Sequence, residues 1–341
     1  MVLPAGSRVA GLIAGVAAIV AMLAAGASDA RAQERRIATL APPGSSWMKV
    51  LDKGAAAIDQ ATNGRVKTKY YSGGSQGDER DVVRKMRLGG IDGAALTSVG
   101  LSMIYSGIRV LELPRLFEST AEMDYVRKKM WKYFQKKFEK EGYMLGEPGD
   151  VGFIYFLSKE PVQSMSDLKK TKVWMWTDDR LVRTMFKKLD VSGVPLGVPD
   201  VLPALQTGRI NAAYGSPLVA VALQWGSKVR YMTSMPMSYA IGATVLRKEI
   251  WEKSSKEDQK IQNLVSKNLG KTMRKTVRSD NKEAQKTLTR KGIKVLETPA
   301  AMVAEFDKVA QEVWQELVGS VYSRAELDMA LKHRAAYRAK K

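Results

Sequence analysis

The sequence predicts an α/β fold of two lobes with hinge-crossing segments and a central cleft. Strand-like and helix-like stretches alternate over residues 34–98, which favours a parallel sheet covered by helices. The same alternation begins again over residues 172–216 and indicates a second α/β unit. Residues 228–251 supply further strands that we expect to cross back to the first unit. A chain of 341 residues, 45% of them hydrophobic, has enough apolar material for two such domains.

The first unit is predicted from hydrophobic periodicity as strand 34–43, helix 47–60, strand 65–71, helix 80–88 and strand 89–98. Ser45 and Ser46 suit the start of the first helix, because serine hydroxyls cap free backbone N–H groups. The glycines of residues 72–79 fit neither GxxxxGK[ST] nor GxGxxG, so a plain turn is predicted there rather than a phosphate-binding loop.

The rest of the chain is predicted as helix 120–141, strands 151–159 and 172–176, helix 179–189, strand 191–197, helix 200–207, strand 209–216, and helices within 255–290 and 299–338. In open α/β sheets, ligands bind beyond the carboxyl ends of the strands. A two-lobed chain of this kind closes on a small molecule. We therefore expect a binding cleft between the lobes.

The N-terminal 32 residues have the pattern of an export signal. Arg8 precedes an apolar run over residues 9–27, and Ala30-Arg31-Ala32 has the small-x-small form of a cleavage site. An uncleaved membrane anchor is the alternative, since the run is nearly long enough to span a bilayer. We predict cleavage after Ala32 and a periplasmic mature protein. The predicted lobes are residues 33–154 with about 239–280, and residues 155–238 with about 281–341.

The composition excludes several classes of enzyme. The chain has no cysteine and one histidine, His333, so disulfides, thiolate metal sites, cysteine nucleophiles, histidine triads and zinc centres have no basis. We predict no catalytic activity, no metal and no cofactor. The net charge is +20, but the basic residues are mixed with acidic and apolar ones in helical stretches such as 127–141. With an export signal, nucleic acid is excluded as a partner, and an anionic membrane surface is the alternative.

Several segments together resemble the solute receptors of TRAP (tripartite ATP-independent periplasmic) transporters. The resemblance covers about residues 36–320 and is carried by LAPPGSSW (40–47), SQGDERDVVRKMRLGGIDGA (75–94), LELPRLF (111–117), SMSDLKKTKVW (164–174), DVLPALQTGRINAAYGSP (200–217) and WEKSSKEDQKIQ (251–262). It implies a two-lobed periplasmic binding protein fold, a small organic ligand, and membrane transporter subunits as partners. It implies no catalysis.

The departures from this family concern its ligand residues. Members that bind carboxylates carry an arginine on the strand after the SxxDLKG turn, where this chain has Trp174. A second family arginine, in a G-x-R pattern, is replaced by Ile154, and the asparagine before proline is replaced by Ser216. Arginine is suited to paired hydrogen bonds with a carboxylate. The resemblance therefore implies a ligand that is aromatic or apolar rather than a simple dicarboxylate.

Seven residues are the candidate ligand contacts: Trp174, Trp176, Tyr155, Tyr214, Ser216, Trp47 and Ser98. Trp174 and Trp176 share one face of a strand, so both belong either to a cleft wall or to the core. Tyr155 and Tyr214 stand beside the exchanged family positions and can each supply one polar contact. Arg115 is a further cation with no predicted position. A lipid- or membrane-associated carrier is the alternative function.

Overall fold

The computed structural model describes residues 33–340, so the predicted signal peptide lies outside the described residues. The strands are β1 Gln33–Thr39, β2 Val66–Tyr71, β3 Gly93–Thr97, β4 Tyr143–Ser158, β5 Val173–Trp176, β6 Gly193–Leu196, β7 Ala212–Gly215, β8 Tyr231–Thr233, β9 Ser238–Arg247 and β10 Lys294–Leu296. The helices are α1 Ser46–Ala61, α2 Glu79–Arg87, α3 Ser98–Ser102, α4 Thr120–Lys140, α5 Met165–Lys169, α6 Arg180–Leu189, α7 Val198–Thr207, α8 Pro217–Ala222, α9 Lys248–Glu252, α10 Lys256–Arg290, α11 Ala300–Glu316 and α12 Arg324–Arg338.

The strands are joined into one twisted path in the order β2-β1-β3-β9-β4-β7-β5-β6, with β8 beside β4 and β10 beside β8. Strand β4 connects the two halves: it pairs with β9 as far as Ile154 and with β7 from Tyr155 onwards. The predicted two-lobed α/β fold is thereby confirmed, with β9 as the predicted crossing strand. The residue limits of the lobes stay a prediction. One proposed limit, between residues 280 and 281, falls inside the continuous helix α10.

The sheet of the first lobe has two unlike faces. Alternate residues such as Ala94, Ile241 and Val245 are completely buried in the main core, together with Met130 and Phe134 of α4. The other face carries Thr39, Ala95 and Thr244 towards the layer formed by α1 and α10, as the strand register requires. Successive side chains of a strand point to opposite faces, so this difference is built into the sequence of each strand.

Two features differ from the sequence-based expectation. Strand β4 begins at Tyr143, eight residues before the predicted start, because Gly146, Pro148 and Gly149 make its first half read as a loop. The structure accommodates them with register shifts against β9 between Leu145 and Pro148 and between Asp150 and Gly152. A 3₁₀ helix, Ser106–Glu112, was not predicted at all. Within residues 33–340, no helix combines the length and apolarity needed to cross a bilayer.

Candidate functional site

A cavity of about 360 Å³ lies where the carboxyl ends of the strands of both lobes meet. Thr39 at the end of β1 and Thr97 at the end of β3 line it from the first lobe. Trp176 at the end of β5 and Gly215 at the end of β7 line it from the second lobe. Its position is the one expected for a ligand site in an open α/β sheet. The volume falls in the range of small-molecule pockets, about 300–1,000 Å³.

An aromatic cluster forms the second-lobe wall of this cavity. The ring of Trp174 stacks on Tyr214 with 4.6 Å between centroids and meets Trp225 edge-on at 5.2 Å. Its indole N–H donates a 3.0 Å hydrogen bond to the carbonyl of Leu196, which holds the ring in one orientation. Trp174 is only 3% exposed, yet it lines the cavity. The two readings of this residue are therefore compatible, since the indole is packed on one side and faces the cavity on the other.

Trp176 connects the two lobes. Its side chain shares a strand face with Trp174, with 5.8 Å between ring centroids, and it also lines the cavity. The indole N–H donates a 2.7 Å hydrogen bond to Oδ2 of Asp78, at the N-terminus of α2 in the first lobe. Burial raises the pKa of Asp78, and the Trp176 hydrogen bond opposes that effect. Trp176 thus combines a cavity surface with a contact between lobes.

Two other predicted residues also line the cavity. Trp47, in the first turn of α1, donates its indole N–H to the carbonyl of Asp150 at 3.1 Å and packs beside Leu218. Ser98 is fully buried at the start of α3, and its hydroxyl accepts a 2.5 Å hydrogen bond from Arg109. The Ser98 hydroxyl is therefore already engaged within the protein.

Tyr155 and Ser216 lie outside the cavity lining. Ile154 faces the cavity, and because neighbouring residues of β4 alternate, the side chain of Tyr155 points to the opposite side of the sheet. Ser216 is fully buried and caps α8 by accepting a hydrogen bond from the Val219 N–H at 3.3 Å. The period-two pattern of the strand was the sequence signal that separates Ile154 from Tyr155.

Arg109 is the functional residue that the sequence analysis missed. It lies in the unpredicted 3₁₀ helix, is 4% exposed, and lines the cavity. Nη2 donates to both carboxylate oxygens of Asp179 at 2.8 and 2.9 Å, and Nη1 donates to Glu112 at 2.7 Å. Asp179 caps α6 in the second lobe, so this buried ion pair also joins the lobes. A lone arginine inside the apolar stretch GIRVLELP (107–114) was the signal available in the sequence.

Glu79 adds a buried acid at the same edge of the cavity. Its carboxylate accepts hydrogen bonds from the N–H and hydroxyl of Thr97 at 2.6 and 2.8 Å and from the Gly100 N–H at 2.7 Å. Burial outweighs these bonds and raises the pKa of Glu79 to about 7. Burial likewise raises the pKa of Glu112, although its ion pair with Arg109 acts in the opposite direction.

The charged lining of the cavity is predominantly acidic. Among the described residues that line it, Arg109 is the single lysine or arginine, whereas the carboxyl residues are Glu79, Glu112, Glu147, Asp150 and Asp179. Asp150 is itself paired with Arg127 and Arg278, both at 2.6 Å. A carboxylate ligand would therefore meet no cation that lacks a carboxylate partner.

The remaining candidates lie elsewhere. Arg115 forms a 2.6 Å ion pair with Asp307 and does not line the cavity. In the part of the chain that the structure describes, no group of three or more His, Cys, Asp or Glu side chains is placed to hold a metal ion.

Comparisons with known proteins identify the family and the shared fold of this chain. Residues 37–320 match the family described as bacterial extracellular solute-binding protein, family 7. A solute-binding protein of Chromohalobacter salexigens is 26% identical over 188 residues, which are 54% of this chain and 56% of that relative, about half the length of each.

Solved structures share the fold across almost the whole described chain. An extracytoplasmic solute receptor of Bordetella pertussis binding pyroglutamic acid has a TM-score of 0.83 at 18% identity, covering 89% of this chain and 100% of that one. A TRAP periplasmic solute-binding protein of Desulfovibrio salexigens, with bound orotic acid, has a TM-score of 0.82 at 19% identity, covering 90% and 99%. With a family match over most of its length and this shared fold, the chain belongs to the bacterial extracellular solute-binding proteins of family 7.

Proposed function

We propose that the protein is the periplasmic receptor of a TRAP-type transporter and binds a small, uncharged, aromatic or apolar compound. It would close on this ligand and deliver it to the membrane subunits of the transporter. The family match supports a receptor rather than the lipid-associated carrier that the basic helices suggested. The proposed ligand contacts are Trp174, Trp176 and Tyr214, with Trp47 at the cleft entrance.

The state of Arg109 is the observation that carries the choice of ligand. Its guanidinium is buried and already bound to Asp179, Glu112 and Ser98. To bind a ligand carboxylate, Arg109 would have to leave these partners, and two buried carboxylates would lose their cation. Uncompensated buried charges are strongly unfavourable. The solved relatives named above hold small acids, so this chain is proposed to differ from them in ligand charge.

The aromatic wall supports the second half of the proposal. Trp174, Tyr214 and Trp225 present ring surfaces on one side of the cavity, and the opposite side carries small or apolar residues such as Ala95 and Ala240. Flat, apolar molecules gain free energy from burial and from ring contacts on such a surface.

Calorimetric titration with two groups of probes tests this function. We expect neutral aromatic probes, such as indole and 4-methylphenol, to bind, and succinate and galacturonate to give no measurable heat of binding. Tight binding of a diacid, with no binding of the neutral probes, would overturn the proposal.

Export is tested separately. The mature protein recovered from the periplasm should begin at Gln33, as N-terminal sequencing would establish. Recovery of material that retains residues 1–32 would contradict the cleavage.

A further inference from the structure

The cavity extends beyond the cleft into the first lobe. It is lined by Tyr70 of β2, Thr39 of β1, Ala95 of β3, Ala240 of β9 and Val151 of β4, which are the five neighbouring strands of that lobe. Four strand spacings of about 4.8 Å give this side channel a lateral extent of about 19 Å. It is therefore much longer than an aromatic ring.

The solvent exposure of side chains on this sheet also indicates unfilled space beneath the helices. Ala95, Ala240 and Thr244 remain partly accessible although they lie in central strands beneath a layer of helices. Their neighbours on the other face, Ala94 and Ile241, are completely buried. A covered central strand normally buries both of its faces, so the protein's own side chains do not fill the helix side of this sheet.

The helix layer also lacks a continuous core on this side. One small cluster surrounds Ile37, Leu246 and Ile250, and another surrounds Leu218, Val277 and Ala284. Ala95 belongs to neither cluster, and Ala240 packs only as a partly buried residue at the margin of the main core. Interiors are close-packed as a rule, and unfilled space costs stability. A gap bounded by two separate clusters is therefore suited to an external apolar group.

The walls of this side channel are mostly apolar, with Thr39, Thr244 and Glu147 among the polar exceptions. Val50, Leu51 and Ile58 of α1 and Leu269 and Met273 of α10 face the small residues of the sheet. We infer that the ligand carries an aliphatic tail that lies in this side channel, with its aromatic or weakly polar head against Trp174. This inference rests on the proposed function and narrows it to an elongated, uncharged, amphipathic compound.

A series of 4-alkylphenols, from methyl to nonyl, tests the side channel by calorimetric titration of the full mature protein. Each methylene transferred from water into the channel should raise the affinity about 3- to 4-fold until the channel is filled. Affinity that does not depend on chain length would overturn the side channel and leave the proposed aromatic site intact. If no alkylphenol binds, both the side channel and the proposed function fail.

Two channel-blocking variants locate the tail. Ala240→Leu on β9 stands next to the junction with the second lobe, and Ala95→Leu lies one strand further in. In both variants the gain in affinity from 4-methylphenol to the longer alkylphenols should be smaller than in the wild type, and the affinity should stop rising at a shorter chain in Ala240→Leu than in Ala95→Leu. The control is Ala57→Leu, an exposed position on α1, which should follow the wild-type series. If affinity depends on alkyl chain length in the same way in the wild type and all three variants, the tail lies elsewhere and the inference is overturned.

Thermal unfolding without ligand provides a second readout of the blocking variants. A leucine that enters unfilled space keeps or raises the melting temperature, whereas overpacking a filled core lowers it. A large loss of stability in both Ala240→Leu and Ala95→Leu would contradict the side channel.

Discussion

Trp174 carries two roles at once. The indole is almost fully buried by Tyr214, Trp225 and the Leu196 carbonyl, and the remaining surface faces the cavity. The position at which the resemblance implies an arginine is part of an aromatic stack in this chain. Because the ring packs and lines the site together, its removal should affect both stability and binding.

Trp174→Ala should lower the free energy of unfolding by about 3–5 kcal/mol, as expected for a buried tryptophan, and should also weaken ligand binding. Trp174→Phe should retain most of the stability because a ring still packs on Tyr214. Urea unfolding and titration with 4-methylphenol measure the two effects. Tyr155→Phe, outside the lining, serves as the control and should bind like the wild type. A Trp174→Ala protein with unchanged affinity would remove this residue from the site.

Glu79 should make stability depend on pH. Burial raises its folded pKa to about 7, above the ordinary glutamate value of 4.5, so the folded state holds the proton more tightly than the unfolded state. Stability contributed by this group is therefore complete below pH 4.5 and is lost as the pH rises towards 7. The difference of about 2.5 pH units corresponds to about 3 kcal/mol at 1.36 kcal/mol per unit.

The matched comparison is Glu79→Gln, which cannot ionise. The difference in unfolding free energy between wild type and Glu79→Gln should change by about 3 kcal/mol between pH 4 and pH 8. The wild type should become less stable relative to the variant at the higher pH. Urea titrations at several pH values measure it, and His333, which titrates in both proteins, cancels in the difference. A difference that stays constant over this range would refute the raised pKa.

At the scale of elements, the 3₁₀ helix and the N-terminus of α6 are joined by one buried charge network. Arg109 connects Glu112 of the same 3₁₀ helix with Asp179, the cap of α6. Glu112 in turn accepts the Ile241 N–H of β9 at 2.6 Å, so the network reaches the crossing strand as well. Three elements distant in sequence therefore depend on one guanidinium.

Arg109→Met should lower the free energy of unfolding by about 3–5 kcal/mol, because two buried carboxylates lose their common cation. Adding Asp179→Asn removes one of these charges, so the double variant should be less destabilised than the sum of the single variants. Chemical denaturation of all three proteins completes the cycle. Strict additivity would show that the ion pair contributes no coupling.

For the whole molecule, two side-chain contacts join the predicted lobes beside the cavity. Trp176 binds Asp78, and Arg109 binds Asp179, across segments that the sequence assigns to different lobes. We expect a ligand that contacts both sides of the cleft to favour the arrangement in which these contacts are formed, so binding should shift the population towards it.

Trp176→Phe should shift the population towards an open state, because it keeps an aromatic ring but loses the hydrogen bond to Asp78. Hydrogen bonds to charged groups contribute about 1.5–3 kcal/mol, so affinity should fall about 10- to 100-fold. Small-angle scattering should show a larger radius than for wild type without ligand. Trp131→Phe is the control: it loses a 2.9 Å hydrogen bond to the carbonyl of Gly146, and neither residue lines the cavity. If Trp176→Phe and the control variant have the same radius and the same affinity, the hydrogen bond between Trp176 and Asp78 does not hold the lobes together.

The α/β class, the order of most elements and the family could all be predicted from the sequence alone. These properties follow from local periodicity and from motifs in a fixed order, which are visible without knowing the contacts. It also indicated Trp174, because the exchange of a family arginine is a property of one position. The start of β4 was not predictable in this way, since its glycines and proline are compatible with a strand only through irregular pairing with β9.

The lining of the cavity, in contrast, depends on contacts between residues that are distant in the sequence. Arg109 and Asp179 are 70 residues apart, and no local pattern indicates that they meet. Their ion pair decides whether a cation is available to a ligand, and it depends on how the two lobes are placed together. The side channel likewise exists because small residues from separate strands share one face beneath α1 and α10. Long-range packing, which no single segment encodes, therefore determined the charge and the length of the site.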